Sequence, residues 1–221
     1  MKTRRDFALA LNIAAAAIAL GAAPARAEDA LPPERPTTPY RATMRNSFSI
    51  TEVGGGESGG DTVEIRVSDA RLLEVSKIME EKSLIVDTEK HEVIQFDPKA
   101  TDKVAARFPL NDAPIPYIQG RAGLAAFDAS WPAPKIAGTD TVAKQKCTVL
   151  HYGKPGENGI AACVSKQGVV LRAKLEFPNF EREFEALDFD AGKQDEKWFR
   201  PPDGFTIVEG AAPEDKNSQA P

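Results

Sequence analysis

Apolar and polar residues alternate along most of this chain, and the alternation has the period of strands. Ala42, Met44, Phe48 and Ile50 fall on one face of a first strand, and Val63, Ile65 and Val67 alternate with polar neighbours in a second. A glycine-rich turn is expected between them at 54–60. Residues 71–78 continue as a strand after a bend. Leu84-Ile85-Val86 and Val93-Ile94-Gln95-Phe96 flank a polar turn at Thr88-Glu89-Lys90-His91. The clearest alternation is Val169, Leu171, Ala173, Leu175 and Phe177, with Arg172, Lys174 and Glu176 interleaved. Residues 184–190 add one more strand. Turn formers recur between these runs, so consecutive hairpins of one antiparallel sheet are expected. Two stretches break the pattern. Residues 101–108 have the composition of a short helix, and 115–127 carry Tyr117, Ile118, Leu124 and Ala125 at helical spacing, weakened by Gly120 and Gly123. The expected fold is mainly β: a long curled antiparallel sheet, an incomplete barrel, with one or two short helices as a lid.

Cys147 and Cys163 are the only cysteines. Each sits in a strand-like run, KCTVLHY and GIAACVS, on either side of the turn-rich Gly153-Lys154-Pro155-Gly156-Glu157-Asn158. A hairpin centred on Pro155 sets the two cysteines directly opposite, within reach of a disulfide. No C-x-x-C spacing points to a redox pair, so the expected role is a structural staple.

The first 27 residues read as an export signal. Lys2, Arg4 and Arg5 open it, no charge occurs from Phe7 to Ala25, and Ala25-Arg26-Ala27 supplies a small-x-small cleavage pattern. Thr3-Arg4-Arg5-Asp6-Phe7 is similar to a twin-arginine signal. No cysteine follows the cleavage site, so no lipid anchor is expected, and no later apolar run is long enough to span a membrane. The expected compartment is a bacterial periplasm or the cell exterior. Residues 28–39 read as a flexible leader, 40–209 as the folded domain and 210–221 as a disordered tail.

Charge narrows the function. The 221 residues carry 28 Lys+Arg against 33 Asp+Glu, a net charge of −5. The acidic balance argues against nucleic acid as a partner.

Residues 83–90 (SLIVDTEK) before 93–98 (VIQFDP) resemble a hairpin of the LolA-like superfamily, the periplasmic lipoprotein carriers and their exported relatives. Residues 139–147 (TDTVAKQKC), 167–171 (QGVVL) and 198–205 (WFRPPDGF) are similar to later segments of that family, though Lys144 stands where the relatives carry Gly. The resemblance covers about 63–208. It implies an incomplete β-barrel lidded by helices, with an apolar cavity that in the characterised carriers holds acyl chains.

Motifs that point to chemistry are weak. Gly56-Glu57-Ser58-Gly59-Gly60 matches G-x-S-x-G, yet a strand-like run follows where a hydrolase needs a helix. Both His91 and His151 follow Ser58, the wrong order for a chymotrypsin-like triad. Gly54, Gly56 and Gly59 fit G-x-G-x-x-G and lack the same helix. Two isolated histidines and a paired cysteine set make no zinc site. Asp188, Asp190 and Gly192 hint at a calcium loop, but Phe199 stands at its twelfth position. Glu181, Glu183 and Glu185 read as a solvated strand face. No catalytic residue, metal or cofactor is therefore expected. Phe177, Phe180, Phe184, Phe189, Trp198, Phe199 and Phe205 cluster late in the chain as core or as a cavity wall. Two functions remain. One is a non-catalytic carrier sheltering a lipid or other apolar ligand; the other is an envelope adaptor that binds a protein partner over a packed interior.

Overall fold

A computed structural model describes residues 30–52, 55–76, 82–111 and 114–210. The export signal, residues 28–29, Gly54, Ile78 and the tail from 211 lie outside the described residues.

Among the described residues the backbone forms one twelve-stranded sheet that does not close into a barrel. The strands in chain order are β1 (Tyr40–Glu52), β2 (Gly55–Ser68), β3 (Arg71–Ser76), β4 (Ser83–Asp87), β5 (Glu92–Phe96) and β6 (Val104–Pro109), followed by β7 (Lys135–Val142), β8 (Gln145–Lys154), β9 (Asn158–Ser165), β10 (Val170–Phe177), β11 (Phe180–Ala191) and β12 (Thr206–Glu209). Across the sheet they run β12-β6-β5-β4-β3-β2-β1-β11-β10-β9-β8-β7. Every pairing is antiparallel except β12 on β6. The helix α1 (Pro116–Ala125) leaves the sheet after β6 and packs on β2, β3, β9 and β10, so the sheet curls around it.

The predicted alternation decides which side chains meet that helix. Tyr40, Ala42 and Met44 of β1, Val63, Ile65 and Val67 of β2, and Leu171, Ala173 and Leu175 in and beside β10 are buried on the inner face with Ile118 and Leu124. Tyr40 also donates its hydroxyl to the Tyr117 carbonyl at 2.8 Å, which anchors the helix to the first strand.

Four expectations change. Residues 104–109 are the strand β6, not part of a helix: the edge of β5 offers a hydrogen-bonding partner, and pairing outweighs weak helical propensity. Gly55–Gly60 are strand, paired with β1 as far as Glu52 opposite Gly55, so the turn there is shorter than expected. The Cys hairpin is shifted by one position. A hydrogen bond from Glu157 N to Lys154 O closes a turn with Pro155 and Gly156 at its centre. Gly156 has φ +91°, the type II geometry that pairs Pro with Gly. Lys154 then faces Asn158, Cys147 faces Ser165 and Cys163 faces Val149. The disulfide still forms, on the diagonal, with Cα atoms 5.4 Å apart. Sheet twist shortens one diagonal between adjacent strands, which allows it.

The fourth change concerns 31–39. This segment has no regular secondary structure, yet it is held as a strap across α1 and the β9–β10 turn. Ala122 N donates to Glu34 O at 3.0 Å, Thr37 N to Gln167 O at 2.9 Å, and Arg121 Nε to Pro32 O at 2.9 Å. Gly120 makes this contact possible. It adopts φ +57° and ψ −132°, interrupting the helix, and a Cβ there would lie 2.8 Å from Gly168 O and 2.9 Å from Glu34 O.

Candidate ligand site

The inner face, where the resemblance implies a cavity, is largely filled. Ile118 and Leu124 of α1 pack into it, and a space of about 210 Å³ remains beside Tyr117 at the start of the helix. Leu72, Val86, Tyr117, Phe184, Glu74 and Arg182 line that remnant. Ligand sites usually hold roughly 300–1,000 Å³ and are mostly apolar. This one is small and contains a charged pair. Burial raises the Glu74 carboxyl above the ordinary range, and nearby Arg182 pulls it partly back. Burial likewise pushes the phenols of Tyr40 and Tyr117 up.

A second opening, of about 570 Å³, lies between the strap, the β2–β3 and β4–β5 turns and the start of α1. Arg35, Asp69, Glu89, His91 and Gln119 line it beside Ile118. It is larger, but polar turn residues dominate its walls, so it offers little apolar burial.

The third opening is on the opposite face of the sheet. There the runs Leu72-Leu73, Leu84-Ile85-Val86 and Val93-Ile94 matter, because they put apolar side chains on both faces. Leu72, Val86 and Val93 face the helix. Leu73, Ile85, Ile94, Phe96 and Ala105 form a separate outer cluster with Phe199. Residues 192–205 cover this cluster. Asp195 caps a short 3₁₀ turn, Glu196–Phe199, by accepting from Lys197 N. Arg71 donates to both carboxylate oxygens of Glu196, at 2.6 and 2.9 Å. The guanidinium of Arg66 lies 4.2 Å from the centre of the Trp198 ring, and Phe205 packs edge-on against Phe96 at 5.4 Å. Gly204, at φ +91°, turns the chain back into β12.

Beside this closing segment the cover is incomplete. A trough of about 470 Å³ remains, with Leu73, Val75 and Phe96 as floor and Pro98, Trp198 and Pro201 as walls. Lys197, Arg200 and Asp203 stand at its rim. Trp198 is 39% exposed although it is the largest side chain of the site. The late aromatics are therefore not one cluster. Phe184 stacks edge-on with Tyr117, and Phe177 packs on Trp131, on the inner face, whereas Trp198, Phe199 and Phe205 lie outside.

The remaining sequence candidates stay apart. Ser58 is an exposed residue of β2 opposite Ser49. His91 sits in the β4–β5 turn at φ +53°, and His151 lies in β8 opposite Ala161. Glu181 and Glu185 pair with Lys174 and Arg45 on the solvated face of β11. Asp188 and Asp190 are strand residues facing β1, and Asp188 binds Arg41 at 3.1 Å. Among the described residues no group of three or more His, Cys, Asp or Glu side chains is placed to hold a metal ion. No helix among them is long and apolar enough to cross a membrane.

The molecule is thus an open half-barrel with a helix on its inner face and an apolar trough on its outer one. Similar solved structures include an uncharacterised conserved protein from Thermus thermophilus, at TM-score 0.48 and 11% identity over 78% of this chain and 91% of that one. They also include a LolA superfamily protein from Nitrosomonas europaea, at TM-score 0.32 and 9% identity over 72% and 90%. MucB in complex with MucA from Pseudomonas aeruginosa is matched at TM-score 0.44 and 16% identity over 76% of this chain, which spans 58% of that one. No protein-family model and no curated protein sequence matches the chain.

Proposed function

We propose that this is an exported, non-catalytic binding protein that holds an apolar ligand in the outer trough. The observation that carries the reading is the trough itself: an apolar floor from the two strands β3 and β5, walls of Trp198 and proline, and a volume of about 470 Å³ within the range of ligand sites. Removing apolar surface from water there yields about 25 cal/mol per Å² before the costs of association. The closing segment is anchored by Arg66, Arg71 and Asp195, so the site is formed before a ligand arrives.

The filled inner face favours a second reading, an envelope adaptor that binds a protein partner. The two separate in one experiment. Mature protein is purified from its own envelope fraction, weighed by native mass spectrometry and extracted with organic solvent. A stoichiometric small molecule, lost in a Val75→Glu variant, supports the ligand reading. An unliganded mass together with a stoichiometric protein partner overturns it in favour of the adaptor.

A further inference from the structure

We infer that the outer trough takes an anionic single-chain amphiphile, its chain on the Leu73–Val75–Phe96 floor and its acidic head group at Arg200. This rests on the ligand reading above and names its chemistry.

The argument is one of charge and shape. The trough is open to solvent and, at about 470 Å³, is small for more than one long hydrocarbon chain. Its rim carries two cations, Lys197 and Arg200, against one carboxylate, Asp203. The chain as a whole is acidic, at −5, so an exposed guanidinium at the mouth of an apolar trough stands out from it. The cations differ in their commitments. The ammonium of Lys197 is 3.0 Å from Asp195, and the guanidiniums of Arg66 and Arg71 are engaged by Glu64 and Glu196. Arg200 acts on Asp195 through its charge but forms no ion pair within 4 Å among the described residues, and it follows the 3₁₀ turn in extended backbone. A guanidinium is planar and weakly hydrated, and it binds a carboxylate or phosphate through two parallel hydrogen bonds. An apolar channel ending at such a group suits a molecule with a hydrocarbon chain and a negative end. Pro201 and Pro202 stiffen the backbone beside it, so little order is lost when the ligand binds.

The test uses Trp198 as reporter. The chain has two tryptophans, and Trp131→Phe leaves Trp198 alone to fluoresce. Three probes of equal chain length are titrated below their micellar concentrations: dodecanoate, dodecyl maltoside and dodecyltrimethylammonium. The expected result is saturable one-to-one binding of dodecanoate with a blue shift of Trp198. It should be at least tenfold tighter than for the neutral probe and tighter still than for the cation. Arg200→Glu, an exposed change, should abolish that preference or reverse it while the neutral probe binds as before. Val75→Glu should weaken all three. Equal binding of the three probes, or a dodecanoate preference that survives Arg200→Glu, overturns the inference and leaves the ligand reading standing. No response of Trp198 to any probe overturns both.

Discussion

Replacing Gly120 by alanine tests the way the strap is joined to the half-barrel. Two costs arise. The backbone at φ +57° and ψ −132° is open to glycine and strained for other residues, by about 1–3 kcal/mol. The added Cβ also meets backbone atoms, Gly168 O at 2.8 Å and Glu34 O at 2.9 Å, and Pro36 Cδ at 3.0 Å. Backbone cannot swing aside as a side-chain tip can, and overpacking of this kind costs about 1–3 kcal/mol. Against them stands a gain of about 0.4–1 kcal/mol, because alanine restricts the unfolded chain. The expected net loss is about 1–6 kcal/mol, read as a lower urea midpoint at unchanged slope. The strap should respond first. The Ala122 amide, which donates to Glu34 O, and the Thr37 amide, which donates to Gln167 O, should exchange hydrogen faster, while Val164 at the centre of β9 keeps its protection. Gly123→Ala is the comparison. Gly123 has no left-handed φ, but its Cβ would meet Gln119 Cβ at 2.9 Å and Pro116 Cα at 3.1 Å, so crowding remains and helix propensity of about 1 kcal/mol offsets part of it; the strap amides should keep their protection in that variant. A loss below about 1 kcal/mol in Gly120→Ala, or unchanged exchange of the Ala122 and Thr37 amides in it, would refute the reasoning.

Three further outcomes follow from the structure. Cys147→Ala with Cys163→Ala reopens a bridge spanning a sequence separation of 16 and should cost about 3 kcal/mol in the chain-entropy model, measured by thermal melts with and without reductant. Glu74 has a folded-state carboxyl raised by burial, so its contribution is most favourable below the ordinary carboxylate range and is lost as pH rises through the raised value; Glu74→Gln should therefore gain on the parent between pH 4 and pH 7 in urea midpoints, and a constant difference would contradict this. Arg71→Ala removes both hydrogen bonds to Glu196 and the cation over Phe199, so residues 193–205 should become more sensitive to limited proteolysis while the β8–β9 hairpin stays resistant.

Much of the sheet was legible because period-2 alternation is a local signal. Val63-Ile65-Val67 and Leu171-Ala173-Leu175 point inward as their spacing requires, and the two cysteines bridge as their flanking runs imply. The same local signal had no means of placing an element whose conformation depends on a distant partner. Residues 104–109 are strand because β5 and β12 stand on either side, and 31–39 are fixed because α1 and the β9–β10 turn receive them. The register of the Cys hairpin depended on which residue took the left-handed turn position, Gly156, and a shift of one in its centre moved each cysteine two places along the ladder.

The candidate site divides along the same line. The sequence by itself determined the apolar runs at Leu72-Leu73, Leu84-Ile85-Val86 and Val93-Ile94, and it set Trp198, Pro201 and Pro202 in one short segment. Both facts follow from order along the chain. Only the tertiary structure decided that these runs are covered twice, by α1 on one face and incompletely by the closing segment on the other. Whether an apolar side chain fills a core or lines a trough depends on what packs above it, and that is settled by contacts between residues more than a hundred positions apart, such as Arg66 with Trp198 and Arg71 with Glu196.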